Sequence, residues 1–387
     1  MEQNNKRNGE QPSHGKYIDG FRAKLDQYLL PVDPMAIDIV LSTAISIYLR
    51  GDPIWLLLIG PSGGGKTELL NLFKDSDDTL LISRLTENTL LSGSLDVPSG
   101  HDLLDDLNGK ILIIKDLSPI LELGSDAQKS ILSTLRDAYD GHVTHRWGTG
   151  VTKEWQGRFG VMAAATYAVD KQMTLSAELG ERFVRVNLKT DSLEQTKRAL
   201  ELIGREEEMR DELSKMGRDL LAHYKRLAED MKPAIPGSII QLVQELAVMT
   251  ATLRTPVLRD GNHVVTTPVV PEVGTRLGKQ LSQITQAHAL LWEKKRADRI
   301  DYTFTVRAAI DSIRVQRVNA LRILLDGEYT GKNMAGLLSV PPNTLSYVMQ
   351  DLKALGIVEK MGGHKGWRLN DSAHEVLKRT GMVGAIR

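Results

Sequence analysis

Residues 60–68 combine glycines, a lysine and a hydroxyl side chain at a spacing suited to binding phosphate. Glycines let the backbone bend so that successive N–H groups face phosphate oxygens, helped by the N-terminus of the helix that follows. The lysine reaches the terminal phosphates, and the hydroxyl ligates Mg²⁺. The stretch fits G-x-x-x-x-G-K-[ST], and we predict that its residues contact a nucleotide: Gly60, Pro61, Ser62, Gly63, Gly64, Gly65, Lys66, Thr67 and Glu68.

A carboxylate that could hold the same metal ion follows a second apolar stretch. Asp116 comes just after the apolar run 111–114, and the run 54–59 leads into the glycine-rich loop. Both runs are typical of buried parallel strands, and ligands of open parallel sheets bind outside the carboxyl ends of the strands. We predict that Thr67 and Asp116 hold Mg²⁺, with capping of the following turn as the alternative role for Asp116.

The composition places these motifs in an ordinary globular chain. The 387 residues favour two or three domains, and the apolar and charged fractions, 41% and 25%, are average. The absence of cysteine excludes disulfide scaffolds and fits a cytoplasmic location. We expect no membrane partner, because the apolar runs are too short to span a bilayer. The formal net charge is zero, so any contact with nucleic acid must depend on a local patch.

A helix, a hairpin and a third strand follow Asp116. Helical spacing extends over 125–139, with Ser125 as the predicted N-cap. The alternating segments HVTHRWG and VTKEWQG flank Thr149-Gly150 and predict a β-hairpin. The third strand is predicted over 157–166, and it ends in the hydroxyl of Thr166.

This order of elements resembles the AAA+ ATPase superfamily, and within it the layout of MCM-type helicases and MoxR-like ATPases. After the P-loop come TENTLLSG, the strand before Asp116, the helix and hairpin, the strand before Thr166, LSAELGERFVRVNL and VGTRLGKQLSQITQAHALLW. The resemblance covers roughly residues 18–312. It implies an α/β fold, a P-loop NTPase parallel sheet with a helical lid, which binds ATP and Mg²⁺ and hydrolyses ATP.

The resemblance also implies roles in catalysis for Lys66 and for residues outside the loop. Lys66 and Asp116 would serve catalysis, and Thr166 would be sensor 1. Arg182 would be the arginine finger and Arg276 the sensor 2 residue. An arginine finger of this superfamily acts on a neighbouring subunit, so we predict a homo-oligomer. For each arginine the alternative is a surface ion pair.

The sequence departs from the family next to Asp116. Leu117 stands where the family has a glutamate that orients the attacking water, and a general base must lie within hydrogen-bond reach of that water. Glu87 is the preferred substitute, because we expect it to close a strand beside the P-loop strand. Glu122 is the second candidate, and slow hydrolysis without a dedicated base is the third possibility.

The pattern divides the chain into four segments. Residues 1–17 are predicted to be a disordered tail, 18–190 the nucleotide-binding core, 191–312 the helical lid and 313–387 a separate domain. Within the lid, 191–231 carries opposite charges at helical spacing, and a coiled-coil partner surface is the alternative. Arg254 is a further candidate for contact with nucleotide or a neighbouring subunit.

The last segment resembles a winged helix-turn-helix domain of the MarR-like kind. NMAGLLSV would be the first helix of the motif, PPNTLSYVMQDLKALG the recognition helix and IVEKMGGHKGWRLN the wing. Such a helix contacts base edges in the major groove, while the wing reaches the DNA backbone. The predicted DNA contacts are Asn343, Thr344, Ser346, Tyr347 and Gln350 on the helix, and Lys360, His364, Lys365 and Arg368 on the wing. Docking of a protein is the alternative.

By resemblance to MCM-like rings, the hairpin is a second DNA contact. His145, Arg146 and Lys153 would supply charge, and Trp147 or Trp155 would stack on bases. Packing against the same subunit is the alternative. Together these features predict ATP-dependent work on DNA, by a helicase-like motor, an initiator or loader, or a remodeller. A nucleotide-gated DNA-binding regulator with slow hydrolysis and a MoxR-like remodeller of protein complexes remain as alternative functions.

Overall fold

Five short strands rich in branched apolar residues form one parallel sheet, and two separate hairpins supply the other strands. The computed structural model describes residues 15–29, 33–90, 102–147, 152–171, 182–261, 264–265, 269–362 and 366–387. The strands are β1 Trp55–Ile59, β2 Thr79–Ile82, β3 Ile111–Ile114, β4 His142–Arg146, β5 Thr152–Gln156, β6 Gly160–Ala165, β7 Val184–Asn187, β8 Val358–Lys360 and β9 Trp367–Leu369.

The sheet has the order β2-β3-β6-β1-β7, and all of its pairings are parallel. The predicted α/β class with a parallel sheet is therefore confirmed. The third strand begins three residues later than predicted, at Gly160 rather than Gly157. The reason is that the Gly157 amide donates to the carbonyl of Gly141 at 3.2 Å, which closes the β4–β5 hairpin instead of extending the sheet.

Helices cover both faces of the sheet. They are α1 Lys16–Tyr28, α2 Pro34–Ile45, α3 Lys66–Asn71, α4 Glu87–Leu90, α5 Leu103–Leu107, α6 Ser118–Leu121, α7 Ser125–Tyr139, α8 Ser192–Glu201, α9 Glu206–Asp230, α10 Gly237–Arg254, α11 Thr275–Leu291, α12 Arg299–Asp311, α13 Val315–Leu324, α14 Gly331–Leu338, α15 Pro342–Ala354, α16 Asp371–Arg379 and α17 Met382–Ile386. Two 3₁₀ turns, Ser46–Tyr48 and Tyr167–Lys171, complete the described helical elements.

Alternate residues of each strand belong to two different cores, as expected for a sheet covered on both faces. Leu56 and Leu58 pack with α2 and the C-terminal helices, whereas Trp55, Leu57 and Ile59 pack with α7 and the β4–β5 hairpin. Helix α2 is buried along almost its whole length, because α11 and α12 also pack against it. The sheet is therefore fixed between two helical layers, and its strand ends are left for other contacts.

Two predicted boundaries are wrong by a few residues. Helix α1 begins at Lys16, inside the predicted tail, because Tyr17 stacks on His223 of α9 with ring centroids 3.9 Å apart. Residues 1–14 lie outside the described residues. Ser125 is the first residue of α7 rather than its N-cap; Gly124 holds that position without a side-chain bond.

The C-terminal segment consists of α13 to α17 and the β8–β9 hairpin, and it packs on the helical layer. Tyr302 of α12 donates to the carbonyl of Thr380 at 2.9 Å, and Arg379 bonds Glu245 of α10 at 2.5 Å. Arg317 of α13 is almost fully buried and donates to the carbonyl of Leu253 at 2.6 Å. Among the described residues, no helix has both the length and the apolar character needed to cross a membrane.

Candidate functional site

The carboxyl ends of three neighbouring strands bring the predicted nucleotide residues together. The Gly60 amide, just after β1, donates to the carbonyl of Ala165 at the end of β6, at 3.2 Å. The Leu117 amide, just after Asp116, donates to the carbonyl of Ala164 at 2.8 Å. The glycine loop, Asp116 and Thr166 therefore share one edge of the sheet, with β6 between the other two strands.

The glycine loop depends on glycine at specific positions. Gly63 and Gly65 have φ angles of 74° and 80°, in the left-handed region where a side chain is strained. A Cβ at Gly64 would lie 3.0 Å from the carbonyl oxygen of Pro61. The Gly63 and Gly65 amides have no backbone acceptor within the described residues. These donors are available for phosphate oxygens.

Lys66 is a buried cation within the glycine loop. Its side chain turns back into the loop, where Nζ donates to the carbonyls of Gly60 at 2.9 Å and Pro61 at 2.6 Å. Within the described residues no carboxylate forms an ion pair with it. Burial lowers the pKa of Lys66, and the charge of Asp116 partly opposes that effect. An uncompensated buried charge is costly, so an anion at the loop would relieve the cost.

The two predicted metal ligands, Thr67 and Asp116, are both exposed at this edge. One oxygen of Asp116 accepts from the Ser118 amide at 2.9 Å, which is the turn-capping role considered as its alternative. No cluster of three metal-ligating side chains occurs in the described part of the chain. The pair still fits Mg²⁺, which is held by one or two protein groups together with substrate phosphates and water.

A cavity of about 280 Å³ adjoins the glycine loop. Its walls come from the end of α1, the start of α2, the loop, β7 and the helices α8 and α9, and the apolar lining residues are Leu29, Ile37, Leu69, Leu188, Ala199, Leu202 and Met209. Polar and charged side chains complete the lining, and an apolar pocket into which polar groups converge has the character of a small-molecule site. This pocket lies directly beside the glycine loop.

Sequence reasoning missed three polar residues on the lid side of this cavity. Gln195 donates to the carbonyl of Gly64 at 3.4 Å, and Arg210 forms a bidentate pair with Glu68 at 3.0–3.3 Å. Arg198 also lines the cavity and pairs with Glu201 at 3.1 Å, while its buried Nε has no partner among the described residues. No motif marks these positions; only the packing of α8 and α9 beside the loop brings them there.

The prediction that Glu87 closes a strand beside the P-loop strand is wrong. β2 lies at the edge of the sheet beside β3, and two strands separate it from the P-loop strand β1. Glu87 is the first residue of α4, beyond the end of that strand, and its side chain lies outside the described residues. Glu122 is exposed at the end of α6, just past Asp116. Leu117 itself is buried, with 1% of its surface exposed.

Arg182 lies at the opposite edge of the sheet from the glycine loop. It lies two residues before Val184 of β7, which pairs with Leu56 of β1. Measured along the strands, Arg182 is therefore six residues of extended chain, about 20 Å, from Gly60. Its side chain is 5% exposed and pairs with Asp140 at 2.7 Å. Burial lowers the pKa of Arg182. An ion pair, the alternative role considered for Arg182, is therefore present. To act as an arginine finger, Arg182 would have to leave Asp140 for a phosphate group.

Arg276 lies beside Arg182 rather than at the glycine loop. Both guanidinium groups approach the ring of Tyr139, at 5.5 Å for Arg182 and 5.9 Å for Arg276. Arg276 pairs with Glu272 at 3.3 Å, and the same carboxylate holds Arg254 at 3.0 Å. Arg254 is only 1% exposed, so the suggestion that it contacts nucleotide or a neighbouring subunit is wrong in this structure. It stabilises the fold.

The predicted hairpin is present, and two of its predicted DNA contacts, Lys153 and Trp155, face the same chain. Lys153 pairs with Asp102 and, at 2.7 Å, with Asp105. Trp155 is buried in the core beside Phe159, so stacking of its ring on bases is excluded here. His145 and Arg146 are exposed and Trp147 is half-buried near the tip, and residues 148–151 of the tip lie outside the described residues.

In the C-terminal segment, helices α14 and α15 are joined by three residues and followed by the β8–β9 hairpin. Leu345, Met349 and Leu352 bury one face of α15 against this segment. The opposite face is exposed, and it carries all five of the predicted helix contacts: Asn343, Thr344, Ser346, Tyr347 and Gln350.

The lid covers part of that exposed face. Arg259, which follows α10, lies over the ring of Tyr347 at 5.1 Å and pairs with Asp351 at 2.6 Å. On the hairpin, Lys360 is exposed and Arg368 pairs with Glu359. His364 and Lys365 lie outside the described residues. Among the described residues of the hairpin, Lys360 is therefore an exposed cation and Arg368 is already paired.

Two features of the structure argue for a function: the edge of the sheet around Lys66 and the exposed face of α15. No protein-family model matches this chain, and no curated protein matches it either.

Proposed function

We propose that this chain is an oligomeric, Mg²⁺-dependent ATPase of the AAA+ type that acts on DNA. The observation that carries the proposal is the buried Lys66 ammonium, which has no carboxylate partner within the described residues and sits in a loop of strained glycines. Free amides, a buried cation and an exposed carboxylate, Asp116, share this edge. Each of them suits a nucleoside triphosphate with its metal ion.

Different residues would bind the phosphates, the metal ion, and the base and sugar of the nucleotide. Lys66 and the amides of the loop would hold the β- and γ-phosphates. Thr67 and Asp116 would hold Mg²⁺, which supplies neutralisation of phosphate charge. Thr166, half-buried at the end of β6, would face the terminal phosphate. The base and sugar would occupy the apolar cavity beside α8 and α9.

Two copies of the chain are needed to complete the predicted site. Arg182 and Arg276 lie together at the far edge of the sheet, about 20 Å from the loop along the strands. They cannot reach the γ-phosphate bound to their own chain, whereas a head-to-tail neighbour could receive them. An arginine supplied in this way contributes about 10³-fold or more to hydrolysis. The separation therefore supports an oligomer in which each chain serves the next.

Contact with DNA is proposed through α15 and the β8–β9 hairpin. The exposed face of α15 carries Asn343 and Gln350, and amide side chains of this kind read adenine in the major groove. From Leu352 to the C-terminus the sequence has seven Lys and Arg and three Asp and Glu. That local excess of positive charge suits phosphate. The exposed Arg146 near the tip of the other hairpin is a second contact.

One observation favours a second candidate, the nucleotide-gated DNA-binding regulator with slow hydrolysis. Leu117 occupies the position of the family's water-orienting glutamate and is buried. If neither Glu87 nor Glu122 reaches the attacking water, turnover is slow and the nucleotide acts as a switch. A remodeller of protein complexes has the same nucleotide site and differs in using α15 to bind a protein.

The test is ATP hydrolysis by the purified chain, with and without single- and double-stranded DNA. We expect DNA to stimulate turnover, and we expect Lys66→Ala to remove it, with Lys215→Ala, at an exposed lysine of α9, as the matched control. Glu87→Gln reports whether that residue is the base. ATP binding without turnover above background would refute the motor and leave the regulator. Failure to bind ATP would refute the whole proposal.

A salt titration of DNA affinity separates the regulator and the motor from the protein remodeller. Phosphate contacts release counter-ions, so the logarithm of the affinity falls linearly with the logarithm of salt concentration. We expect a clear slope for duplex DNA that becomes shallower in Lys360→Ala. Affinity too weak to measure even at low salt would exclude action on DNA, whatever the ATPase result.

A further inference from the structure

Tyr347 lies at the centre of the face of α15 that is proposed to enter the major groove. Side chains three or four residues apart share one side of a helix. Asn343, Tyr347 and Gln350 have that spacing, and all three are exposed, while the buried residues of α15 lie on the opposite side. A group that covers Tyr347 therefore covers the middle of the proposed DNA-reading surface.

Arg259 covers this residue. Its guanidinium carbon lies 5.1 Å from the centroid of the Tyr347 ring, and its Nη2 donates to the main-chain carbonyl of Tyr347 at 3.2 Å. Its Nη1 pairs with Asp351, one turn further along α15, at 2.6 Å. The side chains of Arg259 and Asp351 are only 15% and 14% exposed. We call these three interactions the Arg259 contact.

Arg259 belongs to a turn that follows α10 and has hydrogen bonds of its own. The Asp260 amide donates to the carbonyl of Val264 at 3.0 Å, and the Val264 amide donates to the Asp260 carboxylate at 2.9 Å. Arg259 and Val265 form an antiparallel bridge. The Arg259 contact therefore places a second, ordered segment of chain against α15, rather than one loose side chain.

We propose that the Arg259 contact is autoinhibitory: it keeps α15 out of the major groove, and it must open before DNA can bind. The inference rests on the proposed function, since α15 is the proposed DNA contact. The major groove of B-DNA is about 12 Å wide, and an α-helix with its side chains is already about 10–12 Å across. A groove that admits α15 therefore has no room for a second segment on the centre of its exposed face.

A second partner of Asp351 allows the contact to open at low cost. Arg317 of α13, whose side chain is only 2% exposed, also pairs with Asp351, at 3.0 Å. Breaking a buried ion pair is costly mainly because it leaves a charge unpaired. Asp351 keeps Arg317 when Arg259 leaves, and Arg259 moves into water. The Arg259 contact can therefore open without leaving a buried carboxylate unpaired.

The affinity of two arginine variants for duplex DNA tests the proposal. A cation–π pair and a partly buried ion pair should keep the contact closed in about nine chains out of ten, and only the open fraction binds, so Arg259→Ala should bind about tenfold more tightly. Arg205→Ala is the matched control, because it removes the same charge from a pair that is exposed on both sides, and its affinity should not rise. Fluorescence anisotropy of a labelled duplex measures both. Unchanged affinity in Arg259→Ala would overturn the proposal, and weaker binding would make Arg259 a DNA contact instead.

Cross-linking tests the same contact by holding it closed. The sequence contains no cysteine, so Arg259→Cys combined with Tyr347→Cys introduces a single pair of thiols. A short bis-maleimide joins the pair, whereas N-ethylmaleimide blocks each thiol separately, and both samples lack the Tyr347 ring. We expect the blocked sample to bind duplex DNA and the joined sample to lose binding. Equal affinity of the two samples, or failure of the reagent to join the pair within one chain, would refute autoinhibition.

These measurements distinguish this proposal from the proposed function. Duplex affinity that falls with salt, and is the same with and without Arg259, would keep the action on DNA and overturn the autoinhibition alone. If the unchanged chain, Arg259→Ala and the blocked sample all lack measurable affinity at low salt, the DNA contact itself is refuted.

Discussion

The cations at the two edges of the parallel sheet differ in their partners. At the carboxyl edge, Lys66 is buried, and within the described residues it bonds to carbonyls of its own loop and to no carboxylate. At the amino edge, Arg182 and Arg276 are held by Asp140 and Glu272. The first arrangement leaves a positive charge for an incoming anion. The second neutralises its charges in advance, so those arginines become available only when a partner replaces their carboxylates.

This difference assigns different tasks to the edges. A preformed anion site binds its ligand without rearrangement, which favours affinity. A paired arginine must first leave its carboxylate, which keeps it inactive until two surfaces meet. We infer that nucleotide binding needs one chain and that fast hydrolysis needs two.

The largest expected effect is on the rate of ATP hydrolysis, and it tests whether the two edges have different tasks. Arg182→Ala should lower the rate of ATP hydrolysis by about 10³-fold while ATP affinity stays unchanged, because the arginine lies far from its own glycine loop. Lys66→Ala should lose nucleotide binding as well. Stopped-flow binding and steady-state turnover, measured on the same preparations, separate the two results.

Mixing these two inactive variants tests whether the sites are shared. A Lys66→Ala chain still supplies Arg182, and an Arg182→Ala chain still supplies its loop, so random mixing restores roughly a quarter of the heterologous contacts. We expect turnover to return in the mixture. If the mixture stays as inactive as its components, Arg182 does not act on a neighbouring chain.

The second prediction concerns the stability of the amino edge. Glu272→Ala should lower the free energy of unfolding by about 3 kcal/mol, because it removes the carboxylate that pairs with the buried guanidinium of Arg254 at 3.0 Å. Glu208→Ala is the matched control: its pair with Arg205 is exposed on both sides, and its loss should change stability by less than about 1 kcal/mol. Urea unfolding measures both. Equal, small losses would mean that Glu272 is not needed to stabilise Arg254.

The carboxyl edge could be predicted from sequence because its signals are local. The glycine spacing, the apolar runs and Asp116 each lie within one short segment, and strand ends in a parallel sheet must share an edge. The amino edge could not be predicted in the same way. The pairs between Arg182 and Asp140, and between Arg254 and Glu272, depend on which helices pack together, and no local pattern contains that information.

The same reasoning explains why Glu87 was misplaced, whereas the exposed face of α15 could be predicted. Placing Glu87 beside the P-loop required the strand order, which is a long-range property, and β2 lies two strands away from the expected position. The exposed face of α15 follows from helical spacing alone. The cover that Arg259 places over Tyr347 again joins distant segments, so the sequence pattern did not reveal it.

The third prediction tests how closely α9 is held against the helix of the glycine loop. A Cβ at Gly217 would lie 1.8 Å from the carbonyl oxygen of Leu72, just past α3. Gly217→Ala should therefore destabilise the fold by about 2 kcal/mol and weaken ATP binding, since α9 also walls the cavity. Gly20→Ala, in α1 with open space around it, is the control and should be neutral or slightly stabilising. A neutral Gly217→Ala would show that α9 shifts freely.

The smallest expected effect is the pH dependence of ATP affinity, which tests whether Lys66 is the cation that binds the phosphates. Burial lowers the pKa of Lys66 from the ordinary value of 10.5, so in the free chain the ammonium loses its proton at a lower pH than an exposed lysine. Affinity for ATP should stay level near neutral pH and then fall within the range below pH 10.5, where the ammonium loses its proton. Lys66→Arg keeps its charge throughout, so its affinity, although weaker at neutral pH, should not fall in this range.

The stability of the free chain should change in the opposite direction over the same pH range. Where the folded pKa of a lysine is below the unfolded value, the unfolded chain binds more protons, so the free energy of unfolding rises with pH. Urea unfolding of the free chain should show this rise, and Lys66→Arg should lack it. ATP affinity that falls equally in both variants would trace to another group, and Lys66 would then not be the cation that holds the phosphates.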